Sequence, residues 1–225
     1  NIPDSRNVFL RFIKNKDIRY AGFLDDDCII DKNWLHYMIK FINKNNCDVV
    51  GGPQKHKIKN KIFIDYYNNL EPSRYHGELV RWVATNNCFF SKKVLSKSSI
   101  LFDPKLSNVG GSDQLFFNKL NKKKFLIRWN KKSFITENFN NQREKRKWFF
   151  KRNLRYGYSG NLIDKKIYGK MSLMIILIKL FYLIISSLLL VIFPSRKNYI
   201  KATFLILRAL GRLISLLNYK PKKYI

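Results

Sequence analysis

Tyr20-Ala21-Gly22-Phe23-Leu24-Asp25-Asp26-Asp27-Cys28 carries a short apolar run that stops in three consecutive carboxylates. Such a run reads as a buried strand, and the crevice beyond the carboxyl ends of strands is where open α/β sheets place their ligands. Three adjacent acids repel one another, and a divalent cation held by oxygen ligands relieves that repulsion. Asp25 and Asp27 are the candidate metal ligands. Their i, i+2 spacing puts both carboxylates on one side of an extended segment, whereas Asp26 points the other way. The cation that suits such a pair is Mg2+ or Mn2+, which one or two protein carboxylates hold together with the phosphates of a substrate. Taken alone, the triplet reads equally well as an Asp-rich turn at a strand end.

The surrounding chain is strongly basic. It has 225 residues, with 44 Lys and Arg against 15 Asp and Glu, for a net charge of +29. Its partners are therefore anionic, and nucleic acid, an acidic membrane surface and nucleotide-phosphate substrates all qualify. Aromatic residues at 15% argue against a disordered basic tail. Cys28, Cys47 and Cys88 are odd in number and form no Cys-x-x-Cys pair, which argues against a disulfide framework or a zinc site.

In chain order, Asn7 to Lys16 reads as a short helix feeding the strand at Tyr20, as in the second half of a βαβ unit. Asp31 is placed to cap a helix from Lys32 to about Asn43. Cys47 to Val50 reads as a strand stopped by Gly51-Gly52-Pro53. Residues 54 to 78 are polar and basic and read as a solvated excursion with a short helix around Ile62 to Leu70. Leu79 to Ala84 and Cys88 to Phe90 read as strand pieces flanking Thr85-Asn86-Asn87, with a short helix capped by Ser91 after them. Gly110-Gly111-Ser112-Asp113 puts a carboxylate at a helix N-terminus beside a flexible turn, or simply supplies a helix-start acid. Phe125 to Trp129 and Ser133 to Thr136 are expected strands, the second ending at Glu137-Asn138.

The C-terminal part changes character. Arg143 to Gly157 reads as a basic helix with aromatics on another face, suited to an anionic membrane, to diphosphate, or to both. Residues 171 to 193 contain a single charge, Lys179, and are long enough to cross a bilayer core of roughly 30 Å. Lys179 is costly at mid-segment, so an embedded interfacial helix or a re-entrant hairpin fits as well. In Tyr199 to Leu217, Lys201, Arg208 and Arg212 share one face, as in a helix lying along the interface. Ten Lys and Arg between Arg143 and Lys170 place the preceding side in the cytoplasm.

These motifs, in this order, resemble inverting family 2 glycosyltransferases with the GT-A fold. Ser5-Arg6-Asn7 stands where that family has a Ser/Ala-Arg-Asn element before the metal strand. The apolar-Asp-Asp-Asp strand and the Trp34-Leu35 helix start follow, then Gly52-Pro53, then Thr85-Asn86-Asn87. Gly110-Gly111-Ser112-Asp113 matches a Gly-Gly-Glu-Asp helix start, with Ser112 replacing the Glu. Glu137, Arg143, Trp148, Arg152 and Arg155 match the family's last element.

The resemblance implies an α/β chain, with residues 1–160 the C-terminal part of a Rossmann-like GT-A catalytic domain and residues 161–225 a hydrophobic transmembrane or interfacial helical region. It implies transfer from a nucleotide-sugar donor to a lipid-linked or glycan acceptor hydroxyl, with inversion, on the cytoplasmic face of a membrane. Asp25 and Asp27 would hold Mg2+ or Mn2+, and Asp113 would be the catalytic base. Arg6, Asp25, Asp26, Arg143, Trp148 and Arg152 would bind the donor, and no nucleic acid is expected. The family's earlier strands have no counterpart before Asn1, so the resemblance implies an N-terminally truncated chain whose Tyr20 to Leu24 strand is an exposed edge of a parallel sheet. Two rivals remain: a basic nucleic-acid-binding or processing protein, and a non-catalytic membrane-anchored remnant of a transferase.

Overall fold

The computed structural model describes residues 1–58, 74–138 and 143–217, which form two compact units. The helix expected around residues 62–70 lies outside the described residues.

The first unit contains α1 (Ile2–Lys14), β1 (Tyr20–Leu24), β2 (Cys28–Ile30), α2 (Trp34–Lys44), β3 (Val49–Gly51) and β4 (Gln54–Lys57). It continues with β5 (Asn87–Ser91), α3 (Lys92–Lys97), α4 (Ser112–Lys122), β6 (Ile127–Trp129) and β7 (Ile135–Asn138). One sheet has the order β1-β5-β3-β6 and a second has the order β2-β7-β4. Successive strand residues face opposite sides, which divides the core in two. Val49 and Phe90 join Leu10, Phe116, Phe117 and Ile127 on one face, while Val50 and Phe89 join Trp34, Met38, Phe41 and Ile42 on the other. Helices thus cover the larger sheet on both sides, a three-layer α/β arrangement.

Several expectations shift. β1 does lie at the end of its sheet among the described strands, but its neighbour β5 runs antiparallel to it, and so does β3 to β5. Among the described strands only β3–β6 and β4–β7 pair in parallel, so the larger sheet is mixed rather than parallel. Strand spacing and hydrophobicity carry no information about direction, which is why the sequence did not reveal it. The antiparallel register sets Asn87 opposite Leu24, at the mouth of the acidic triplet. Residues 54–57, expected to begin a solvated excursion, are instead β4. Leu79 to Ala84 is not a strand; Gly77 and Val80 donate backbone bonds to the edge of β6, and only Leu79 forms a bridge. Asp31 does not cap α2 directly, because its carboxylate accepts from Asn33 N at 2.9 Å and the helix starts at Trp34.

The second unit includes residues 105–111 and α5 (Arg146–Tyr168), α6 (Ser172–Ile192) and α7 (Arg196–Leu216). α5 ends at Gly169 (φ +53), where a 3-10 turn over Gly169–Met171 leads into α6. The chain folds back there, because Lys179 Nζ meets Asp164 Oδ1 at 2.6 Å, whereas 15 residues of straight helix would span about 22 Å. α5 and α7 cross closely at Gly157 and Gly211. A Cβ on either would stand 2.0 Å from a carbonyl oxygen of the facing helix, Arg208 O or Leu154 O. Arg208 and Arg212 do not form an outward polar stripe on α7. Arg208 Nε donates to Asn153 Oδ1 (3.0 Å), and Arg212 Nη1 donates to Asn161 Oδ1 (2.6 Å) and Asp164 Oδ2 (2.9 Å). Asp164 therefore answers both Arg212 and the mid-segment Lys179. By length and composition, α6 supplies the one stretch among the described residues able to cross a membrane. Its outer side exposes Leu177, Ile178, Phe181, Leu188 and Ile192.

Removing one partner of a buried ion pair leaves an uncompensated charge, whereas replacing the whole group with apolar side chains need not destabilise. Asp164→Asn is expected to cost about 2–4 kcal/mol. Most of this comes from Arg212, whose side chain is 11% exposed, because Lys179 keeps 42% of its surface open to screening. The combined Asp164→Leu, Lys179→Met, Arg212→Met variant is expected to recover at least half of that loss. Thermal unfolding of the detergent-solubilised chain checks both, and an unchanged midpoint in Asp164→Asn would contradict the assignment.

Candidate active site

β1 delivers its acidic end to a position framed by α1, β5, α4 and β7, all in the first unit. α1 is fixed first. Asn7 is buried, its Nδ2 donates to Phe102 O and its Oδ1 accepts from Phe102 N, both at 2.8 Å. This two-way bond docks the helix on the segment before α4. Arg6, one residue earlier, then projects over the Phe102 ring at 5.5 Å and reaches Asp25 Oδ1 at 3.8 Å. In the Ser5-Arg6-Asn7 element, Asn7 is therefore an anchor and Arg6 is the residue that faces the site.

On the other side, Asn87 is almost fully buried and uses both ends of its amide. Its Oδ1 accepts from Trp34 Nε1 at 2.8 Å, and its Nδ2 donates to Ser133 O at 2.8 Å and Pro53 O at 3.1 Å. One side chain thus joins β5 to the start of α2 and to the loops before β4 and β7. In the sequence, Asn87 stood out only as part of the Thr85-Asn86-Asn87 element of the resemblance. The structure gives it an architectural role that only the register across β1 could reveal.

Gly110 and Gly111 have φ +78 and +86, a left-handed pair that glycine adopts without the Cβ penalty. They turn the chain into α4, whose second residue is Asp113. This carboxylate is half-buried, and its Oδ1 accepts from Gln114 N at 2.8 Å.

Asp27, Glu137 and Asp113 all fall within electrostatic reach of Asp25. Burial pushes the Asp25 carboxyl above its usual range, Arg6 opposes that push, and Asp27, Glu137 and Asp113 add to it. The side chain keeps 46% of its surface open, so solvent moderates the effect. Burial, then Asp27, Glu137 and Asp25, push the Cys28 thiol up to about 12. It stays protonated and offers no thiolate. What remains at the end of β1 is a hard-oxygen donor set, suited to Mg2+ or Mn2+ rather than to a soft metal. Among the described residues no three His, Cys, Asp or Glu side chains form a closed cage. Two carboxylates completed by phosphate oxygens and water is the arrangement Mg2+ adopts in phosphate-transfer sites, so the residues present fit.

The other expected site residues lie in the second unit. Arg143 sits in the turn before α5, and Trp148 and Arg152 lie on α5. The Arg152 guanidinium lies 4.6 Å from the Trp148 ring centroid and 5.3 Å from that of Tyr156, so its fork is held between two aromatic faces. Gly110 packs beside Arg155 of the same helix, where an added Cβ would meet Nη1 at 3.3 Å. The structure thus brings Arg6, Asp25, Asp27 and Asp113 together in one unit and Arg143, Trp148 and Arg152 along one segment of the other. Asp26 follows on the exposed turn after β1. Sequence reasoning missed Gln54 and His56, both of which approach Glu137.

Residues 3–100 match the model of a family described as Glycosyl transferase family 2. The matched span includes Arg6, the acidic triplet and Asn87, and ends before Asp113. No curated protein matches the chain. Among solved structures, S. aureus TarS 1-349 in complex with UDP is 13% identical with a TM-score of 0.43, over 99% of this chain and 73% of that one. S. aureus TarS 1-349 in complex with UDP-GlcNAc is 13% identical at 0.43, over 95% and 71%. The longer S. aureus TarS chain is 14% identical at 0.43, and the match covers 98% of this chain but 43% of that one. It is therefore over residues 3–100, somewhat under half of its length, that the chain carries the pattern of glycosyl transferase family 2.

Proposed function

We propose that this chain transfers a sugar from a nucleoside-diphosphate donor to an acceptor hydroxyl with inversion, using a divalent cation, at the cytoplasmic face of a membrane. The observation that carries this reading is the convergence of Asp25, Asp27 and Asp113, with Arg6 against Asp25, at the open end of β1. Asp25 and Asp27 would hold Mg2+ or Mn2+. A cation held there supplies positive charge against the diphosphate as it leaves. Arg6 favours the anionic form of Asp25 against the push of burial. Asp113, at the start of α4, accepts the proton of the acceptor hydroxyl, and its position on a rigid helix fixes the direction of that transfer. Arg143, Trp148 and Arg152 bind diphosphate or acceptor, with Arg152 presenting a planar fork suited to phosphate oxygens.

The acceptor is a lipid-linked or cell-surface glycan precursor. What supports this is the apolar outer side of α6 together with the basic residues of α5. Residues 1–160 are read as the catalytic part and residues 161–225 as the membrane-associated part.

Asp27→Asn is expected to lower cation-dependent transfer at least about 100-fold with unchanged expression, since it removes a charged ligand from the surface and not a core side chain. Asp113→Asn is expected to lower transfer by roughly 10²–10⁴-fold while leaving donor affinity within about twofold of wild type. Turnover assays and donor titration separate the two, and loss of donor binding in Asp113→Asn would contradict its role as base.

The chain is also expected to stay in the membrane pellet through both high-salt and carbonate washes, because apolar burial is insensitive to salt while the basic residues alone give salt-sensitive attachment. Release by salt alone would overturn the membrane reading.

A further inference from the structure

The registers of the β2-β7-β4 sheet set Cys28, Glu137 and His56 side by side in one transverse row. Directly opposed residues on adjacent strands project to the same face and are neighbours. Glu137, in the middle, is only 7% exposed. Its Oε2 accepts from Gln54 Nε2 and lies 3.2 Å from His56 Nδ1. Gln54 and His56 are two residues apart on β4 and so share a face, whereas Lys55 and Lys57 point to solvent. At the other end of the row, the Cys28 thiol lies 3.7 Å from Asp27 Oδ1. Cys28 follows Asp27 directly in the chain and pairs with Glu137 across the strands, so Glu137 stands one strand away from the end of the acidic triplet.

A buried carboxylate turned toward other carboxylates is unfavourable unless it is hydrogen-bonded and paired. Of the two inward positions of β4, Gln54 donates to this carboxylate and His56 lies beside it.

We propose that Glu137 is a positioning carboxylate for the cation site, held in place by Gln54 and His56. It does not ligate. It adds a fixed negative charge behind Asp25 and Asp27 and so strengthens their hold on a divalent cation. This rests on the reading of Asp25 and Asp27 as the cation ligands.

The test is titration of the detergent-solubilised full chain with Mn2+ alone, by calorimetry. Glu137→Gln keeps the shape and removes the charge. It is expected to weaken Mn2+ binding about fivefold, the size of one screened charge acting on a divalent ion. His56→Ala is expected to produce a similar loss, and His56→Asn, whose amide nitrogen replaces Nδ1, to restore most of it. The double variant His56→Ala/Glu137→Gln is expected to be no weaker than Glu137→Gln alone, since His56 acts only through Glu137. Wild-type Mn2+ affinity in Glu137→Gln, or losses that add in the double variant, would overturn the proposal. If Mn2+ binding is lost in Asp27→Asn yet intact in Glu137→Gln, this inference alone fails. If the wild type binds no Mn2+, the cation reading fails with it.

Discussion

Asp27, Asp113 and Glu137 all bring their charge to bear on Asp25, and the α/β unit holds them there in spite of the repulsion. Each arrives on a different element: the end of β1, the turn after it, the start of α4, and β7. The elements around them are tied together by buried side-chain amides. Asn7 locks α1 to the Phe102 segment, and Asn87 ties β5 to Trp34 and to the carbonyls of Pro53 and Ser133. Arg6 lies 3.8 Å from Asp25, and Gln54 donates to Glu137. A protein of net charge +29 has cations in excess, yet it sets carboxylates against one another here. Concentrated like charge of this kind is a feature of sites built to bind or move something positive.

Much of this was legible before the structure. The apolar run into three acids, the Gly-Gly before Asp113 and the apolar 171–193 segment each have a local physical signature, and each became the expected element. What the sequence hid had no such signature. β4 reads Gln-Lys-His-Lys, with no apolar alternation, and becomes a strand because β7 pairs with it. Its period-two pattern exists only in burial, where Gln54 and His56 turn inward and Lys55 and Lys57 outward. The antiparallel sense of β1 against β5 was equally invisible, as direction leaves no trace in hydrophobicity. That sense brings Asn87 opposite Leu24, where its amide joins Trp34 to the carbonyls of Pro53 and Ser133.

The helical unit shows the same limit from another side. Three charges on one face of α7 suggest a stripe facing water or lipid headgroups, but two of them are the seam against α5. Lys179 looked anomalous in an apolar segment until the fold-back at Gly169 brought it to Asp164. An acid fifteen residues earlier has no sequence rule connecting it to that lysine. The pairing lets α6 keep a continuous apolar outer side while its one charge is answered within the unit.

The central claim is that the end of β1 holds a divalent cation against a diphosphate. Diffraction from crystals of the chain soaked with Mn2+ and a nucleoside diphosphate, collected at the manganese absorption edge, tests it most directly. The account predicts a single strong anomalous peak within bonding distance of carboxylate oxygens of Asp25 or Asp27 and of the diphosphate. A diphosphate bound with no anomalous peak beside these residues, or a peak ligated by other residues, would contradict it.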